Sequence, residues 1–320
     1  MITDDIQEIA GKEMLLQIEN NELTLGQWVE ENQEDIENWL SQKGLLLVRG
    51  LNIPSEQFGS VLTGLFGEEL ASYTYRSTPR TEMKNNIYTA TEYHASETIP
   101  QHNENAYAHA WPMRIGFLCV TPASRMGNTP ISDSRVAYEQ IPAEIREEFE
   151  RKNVMYVRNY GSIDLPWTEV FQTEDKHEVE QYCRDNDIEF EWTEHGLRTR
   201  QVNQAAITHP LTKEKLWFNQ AHLFHVSNLN EELRESLLEL LGEENLPRNA
   251  YYGDGTPIDA DTLSIIRGVY ERTKFSFQWE KNDLLLLDNM LFTHGREPFE
   301  GERKTLVGMA RSYSLKEAVS

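Results

Sequence analysis

The chain has 320 residues, a mass of 37.2 kDa and a formal net charge of −23. Its hydrophobic share of 39%, with seven Trp, thirteen Tyr and twelve Phe, supplies a packed core and excludes a disordered chain. The acidic balance argues against nucleic-acid and membrane-surface partners, because it repels phosphate backbones and anionic lipid heads.

In chain order, the acidic start MITDDIQEIAGKEM lacks the basic-then-apolar layout of a signal peptide. Thr24 as N-cap, the apolar face of Trp28, Ile36, Trp39 and Leu40, and a stop at Gly44 predict a helix over 25–42. GLLLVRGL (44–51) reads as a buried strand and 54–70 as a second helix, giving an α/β entry. From about residue 86 the pattern changes to strands: NIYTATEY (86–93) alternates, and MRIGFLCV (113–120) is continuously apolar. Turn residues at Pro122 and in Gly127-Asn128-Thr129-Pro130 precede ISDS. A charged amphipathic helix follows over 142–152, then the strand NVMYVRNYG (153–161). The middle, about 162–275, predicts helices near 175–186, 230–242 and 259–272, the last opening on Asp259, and strands at 188–193, 197–203 and 204–208. FSFQW (275–279), DLLLLDNM (283–290) and RKTLVGMA (303–310) make the end strand-rich again. Without repeats or linkers, this predicts one domain over 1–320: a β-core closed from both chain ends, with a helix-rich insertion. No apolar run approaches transmembrane length. Of the two cysteines, Cys119 lies in an apolar strand and Cys183 on a polar helical stretch. No disulfide framework is implied, and a cytoplasmic location is expected.

The chemistry concentrates in Q-H102-N-E104-N and L-D-N-M-L-F-T-H294-G-R. On a strand, residues i and i+2 share a face, so His102 and Glu104 can reach one ion, and His294 follows DLLLLDN at a strand end. Two histidines and one carboxylate leave about half of an octahedral ion's positions open, the set used by non-haem Fe(II) oxygenases. A single H-x-E arises often by chance, and a His after a strand is commonly a core or turn residue. The signal is the pair of segments together. His222 and His225, three apart, could face a second ion, but WFNQAHLFHV is apolar and offers no third ligand nearby. By strand parity Asn103 and Asn105 point away from the ligands, which makes Asn103 a support for the backbone. Arg158 suits either a substrate carboxylate or an ion pair at the core edge. His109 and Trp111 read as packing under the metal strand, and His94, His177, His195 and His209 show no partner pattern.

Five stretches carry a family resemblance: NIYTATEYHASETIPQHNENAYAHAWPMRIGFLCVTPASRMGNTPISDSR, NVMYVRNYG, TRQVNQAAITHPLTKEKLWFNQAHLFHV, NAYYGDGTPI and DLLLLDNMLFTHGREPFEGERKTLVGMAR. The chain resembles the TauD/TfdA family of Fe(II)- and 2-oxoglutarate-dependent dioxygenases, in particular the SyrP-like members found beside nonribosomal peptide synthetases. The resemblance implies a mainly β double-stranded β-helix (jelly roll) with α/β additions. It implies Fe(II) held by His102, Glu104 and His294, with O2 as co-reactant. Many members have Asp where Glu104 stands, and related halogenases have a small residue there, so Glu104 favours oxygenation. For 2-oxoglutarate, the distal carboxylate needs a guanidinium fork. Arg303 fits best, Arg311 is the alternative on the same face by parity, and Arg296 sits nearer, in the turn. Thr129 matches a hydroxyl that touches this carboxylate, although the family often has Gly where Asn128 stands. Asn219 and His222 fall near the mouth of the site. The implied substrate is an amino acid or amino-acid-derived metabolite, hydroxylated at an unactivated carbon, with desaturation or cyclisation starting from the same step. An aminoacyl group on a peptidyl carrier protein is the alternative, disfavoured because two acidic partners repel. A ligand-binding jelly roll without catalysis, or a zinc hydrolase, would leave Arg303 and Thr129 without a purpose.

Overall fold

Residue 24 decides where the first helix begins. Thr24 and Gln27 form a reciprocal capping box at the start of helix Leu25–Lys43, and Gly44 ends it in the left-handed region at φ +79°. In this computed structural model, which describes residues 5–319 apart from 20, 21, 73, 74, 76, 92 and 162, the chain then enters strand Leu45–Arg49. The second helix is shorter than expected: a 3-10 turn at Ser55–Gln57 leads into Phe58–Phe66, which Gly67 terminates at φ +66°.

An eight-stranded sheet forms the back wall. Its order is Ile6–Ile9, Lys12–Gln17, Leu45–Arg49, Leu284–Asp288, Ala110–Thr121, Lys304–Ser314, Ile87–Thr89 and Glu82–Lys84. All neighbours are antiparallel except Lys12–Gln17 on Leu45–Arg49. The first two strands, a hairpin absent from the sequence expectation, extend its edge. The apolar run at 284–287 is explained by cover on both faces. Leu284 and Leu286 pack with Trp28, Ile36, Leu40, Leu62 and Phe66 beneath the two helices, while Leu285 and Leu287 pack with Ile115, Phe117, Val307 and Met309 on the opposite face. Gly116 and Gly308 are cross-strand partners, and a Cβ on either would lie within 2.5 Å of a Leu62 methyl, so glycine is what lets the second helix seat on the sheet.

Facing that wall is a three-stranded sheet, Ile99–His102, Phe292–Arg296 and Ile131–Asp133. The two sheets enclose an apolar layer that includes Ile131 and Phe292. The expected strand at 86–93 shortens to Ile87–Thr89, and Glu92 lies outside the described residues. FSFQW is not a strand: Phe275 makes one bridge to Ile131, and Phe277 and Trp279 are buried as core side chains.

The middle of the chain carries the strands expected near 188–193 and 197–203, and an unexpected one at Arg248–Tyr252. It contributes Glu189–Thr193, Gly196–Asn203 and Arg248–Tyr252 to a four-stranded antiparallel sheet with Val154–Tyr160. Helices Lys176–Asp185 and Ala260–Thr273 pack on its core. Cys183, placed on a polar stretch by sequence, is fully buried there, and both cysteines are free thiols. Among the described residues, no helix is long and apolar enough to cross a membrane.

Candidate metal centre

His102 and His294 are directly opposed residues of neighbouring antiparallel strands, with ring centroids 4.6 Å apart. His294 therefore sits inside strand Phe292–Arg296 and not at a strand end. Glu104 departs from the parity argument too. The strand stops at His102, and Glu104 lies on the following turn, where Asn105 takes φ +57°. Pairing of the Glu104 backbone with a side chain 185 positions away replaces strand parity. Asn289 accepts from Glu104 N at 2.7 Å and donates to Glu104 O and Pro112 O, both at 2.9 Å. Asn103 supports the backbone as expected, donating to Asn289 O at 2.6 Å and Ser134 Oγ at 3.1 Å.

Donor atoms of His102, Glu104 and His294 all lie within 4.8 Å of one another, and all three residues are buried. That span is close to the roughly 3–4 Å separating donors that share one ion at bonds of about 2.1 Å. His102 Nδ1 donates to Pro100 O at 2.8 Å, which fixes the tautomer and leaves Nε2 as the free donor atom. Burial, then the neighbouring His294, lowers the His102 pKa to about 4, keeping the imidazole in its metal-binding neutral form. Burial opposes ionisation of Glu104, but Arg80 and the two imidazoles outweigh it and hold the carboxyl below its usual range. Arg80, which no sequence motif singles out, places a guanidinium nitrogen 2.6 Å from Glu104 Oε2.

One cavity joins His102 and His294 to Phe117, Thr129, Arg303 and Thr305, with Arg80 and Arg296 also in its lining. Phe117, from the large sheet, packs its ring 5.1 Å from that of His294. Arg303 precedes strand Lys304–Ser314 and donates Nε to Gly127 O at 3.0 Å. Burial, then repulsion from Arg296, lowers its pKa to about 10, and it has no carboxylate partner among the described residues. A partly desolvated guanidinium in that position favours an anionic ligand. Thr129 is oriented by Trp279 Nε1, which donates to its Oγ1 at 3.1 Å. Thr305 Oγ1 is buried with no hydrogen-bond partner among the described residues. It was missed by sequence, although its place two residues after Arg303 was readable. Two histidines, a cation and an orphaned hydroxyl in one cavity, with the Glu104 carboxylate beside the histidines, fit a divalent iron and a dicarboxylate.

Other expected residues have other partners. Arg311 is bound on the far side, to Glu37 Oε1 at 2.6 Å and to Phe66 O, and takes φ +57° out of the strand pleat. Arg296 is on strand Phe292–Arg296 and not in a turn, and it gathers the carbonyls of Tyr93, His94 and Glu97. Arg158 is neither at this cavity nor at the core edge: it is buried among the rings of Tyr75, Tyr107 and Tyr160. Asn219 spends its amide on Ala205 O and Ala221 N. His222 braces the metal strand from behind, Nε2 to Gln101 O at 2.8 Å, and His225 bonds to Ser227, so the pair forms no second cluster. Among the described residues, His102, Glu104 and His294 are the one group with metal-ligating geometry.

Residues 6–310 match the "Taurine catabolism dioxygenase TauD, TfdA family". The dapdiamide synthesis protein DdaC of Enterobacter agglomerans is 43% identical over 276 residues, covering 86% of this chain and 84% of that one. The clavaminate synthase-like protein At3g21360 of Arabidopsis thaliana is 28% identical over 298 residues, covering 89% and 87%. In fold, the chain is similar to an asparagine oxygenase solved with Fe(II), 3-hydroxyasparagine and succinate, with a TM-score of 0.54 at 12% identity over 88% and 79% of the two chains. The chain therefore belongs to the TauD/TfdA family, the jelly-roll dioxygenases that depend on Fe(II) and 2-oxoglutarate.

Proposed function

We propose that this enzyme hydroxylates an unactivated C–H bond of an amino acid or amino-acid-derived metabolite in natural-product biosynthesis. In this reading His102, Glu104 and His294 hold the iron, and Arg303, Thr129 and Thr305 hold the distal carboxylate of 2-oxoglutarate. When bound, the iron with O2 and 2-oxoglutarate supplies the oxidant, and the oxo acid leaves as succinate and CO2. The chain's part is positional. His102 and His294 face each other across one strand pair, Glu104 is held at its backbone by Asn289, and Phe117 excludes water from one side. The observation that carries the reading is the cavity shared by the two histidines and Arg303, a guanidinium with no carboxylate partner among the described residues. It is supported by DdaC, a dapdiamide synthesis protein, and by the hydroxylated asparagine in the asparagine oxygenase structure.

A free small molecule is favoured over a carrier-bound aminoacyl group, because a charge of −23 repels an acidic carrier. A cytoplasmic location, where both thiols stay reduced, belongs to the same reading. The test is a screen of free and carrier-loaded amino acids with Fe(II), ascorbate and 2-oxoglutarate, reading succinate and product mass. His102→Ala and His294→Ala are expected to abolish succinate release, and native rates in either reject the assignment. A product mass two units lower than the substrate would move the reaction to desaturation or cyclisation.

A further inference from the structure

Glu104 stands beyond the end of its strand, so the pleat that aims His102 does not aim the carboxylate. Asn289 fixes its backbone and leaves the side-chain torsions free. The carboxylate meets a single guanidinium, Arg80, at 2.6 Å, and both side chains are 3% exposed, so water takes little part in orienting either. Arg80 is itself placed by backbone and threonine hydrogen bonds on either side of it. Thr81 N donates to Thr89 Oγ1 at 3.0 Å, Thr89 N donates to Thr81 O at 2.9 Å, and Thr78 and Thr91 hydroxyls meet at 3.4 Å. The arginine thus reaches the site from the edge of the large sheet, while the histidines come from the small one.

We propose that Arg80 is a positioning residue that holds the Glu104 carboxylate in the orientation needed for metal binding. The proposal rests on the reading of Glu104 as a ligand. Two effects of the cation oppose each other. Its charge repels a second cation and weakens metal binding, whereas its short contact through one guanidinium nitrogen removes the torsional freedom of the longer acidic side chain. Both groups are buried, so a released carboxylate would find no water to hold it, and orientation outweighs repulsion. A purely structural ion pair would show the reverse signature: removing Arg80 would raise metal affinity or leave it unchanged.

The experiment is Co(II) titration of the full chain, followed by visible absorption, with formate as a soluble replacement for the carboxylate. Glu104→Ala is expected to lose metal affinity by about 100-fold or more. If it does not, the ligand reading itself fails. In Glu104→Ala, with Arg80 present, formate is expected to restore at least about tenfold of that affinity, the lower end for groups that orient metal ligands. In Glu104→Ala with Arg80→Met it is expected to restore none. The double variant removes both charges of the pair, leaves neither buried alone, and is expected to fold. Equal recovery in the two backgrounds, or none in either, overturns the proposal. Arg80→Lys in the native background, which keeps the charge but replaces the planar guanidinium with an ammonium on a more freely rotating stem, is expected to bind Co(II) more weakly; unchanged or tighter binding counts against the proposal.

Discussion

Replacing Asn289 with Ala should loosen the acidic arm of the site without touching any metal-binding atom. Asn289 has no solvent exposure, and its amide makes three hydrogen bonds, to Glu104 N at 2.7 Å, Glu104 O at 2.9 Å and Pro112 O at 2.9 Å. A buried donor or acceptor left unmade costs about 1–3 kcal/mol, so three such groups bound the loss at about 3–9 kcal/mol. The vacated space presents three polar partners to a water molecule, which recovers part of this and brings the expected cost to about 3–5 kcal/mol. At about 2 °C per kcal/mol, the low end for larger chains, Tm should fall by about 6–10 °C. Metal affinity should fall by about 10–100-fold, because Glu104 must be re-ordered when it binds. Thermal unfolding by fluorescence with and without Mn(II), paired with a Mn(II) titration, measures both. Asn289→Asp is the companion variant: it keeps the acceptor for Glu104 N but turns a carboxylate oxygen towards two carbonyls, so it should be the worse of the two. A Tm within about 2 °C of native together with Mn(II) affinity within about threefold would refute the clamp.

Arg303→Leu should raise KM for 2-oxoglutarate by about 10–100-fold, the scale of a lost charge-assisted hydrogen bond, whereas Arg311→Leu should leave KM unchanged and lower Tm, since it loses Glu37 and Phe66 O. A raised KM in the Arg311 variant would restore it as the anchor. Thr305→Val, which keeps shape and removes the orphaned hydroxyl, should weaken 2-oxoglutarate by about tenfold in equilibrium binding, with Thr305→Ser close to native. Equal affinity of Val and native would remove Thr305 from the site. Asp288 is fully buried, accepts from Met290 N, Leu291 N and His209, and pairs with Arg114. Burial raises its pKa, but these partners win and hold it below the usual value. Its contribution to stability is therefore present above the unfolded pKa of about 3.9 and is lost as pH falls through the folded one. Asp288→Asn should lower Tm at pH 7 and by the same margin at pH 5, and the gap to native should narrow only in melts at pH 4 and below. A gap that stays constant would show that the charge is not what matters.

The parts of the fold written in local sequence were legible. Thr24, Gly44 and Asp259 mark helix ends through contacts within a few residues, and those ends fall within a residue or two of expectation. Long-range pairing was not. FSFQW has strand-forming residues, yet its partner edge is absent apart from one bridge, and its aromatics serve the core and orient Thr129. The N-terminal hairpin owes its place to a parallel pairing with Leu45–Arg49 that no local pattern announces. Cys183 was judged by its polar neighbours in sequence, but in a helix the face decides, and Val179 and Cys183, four apart, share the buried one.

The same division runs through the site. His102 and His294 were readable because each residue type is rare and carries its chemistry alone. Arg311 was assigned by counting alternation along eight residues, and that count requires an uninterrupted pleat. The strand has an irregularity between Lys304 and Thr305 and a left-handed residue at Arg311 itself, so parity is lost at both ends of the count. Glu104 does lie beside the two histidines, but not for the expected reason: the strand that was to orient it ends two residues earlier, and Arg80 and Asn289 do the orienting from 24 and 185 positions away. An arginine and an asparagine are common residues with many uses, so neither can be recognised until the chain has folded. The ligands of this centre are thus a property of short motifs, whereas their aim is a property of the tertiary structure. A change at Arg80 or Asn289 can disarm the site while every residue of the metal motif remains in place.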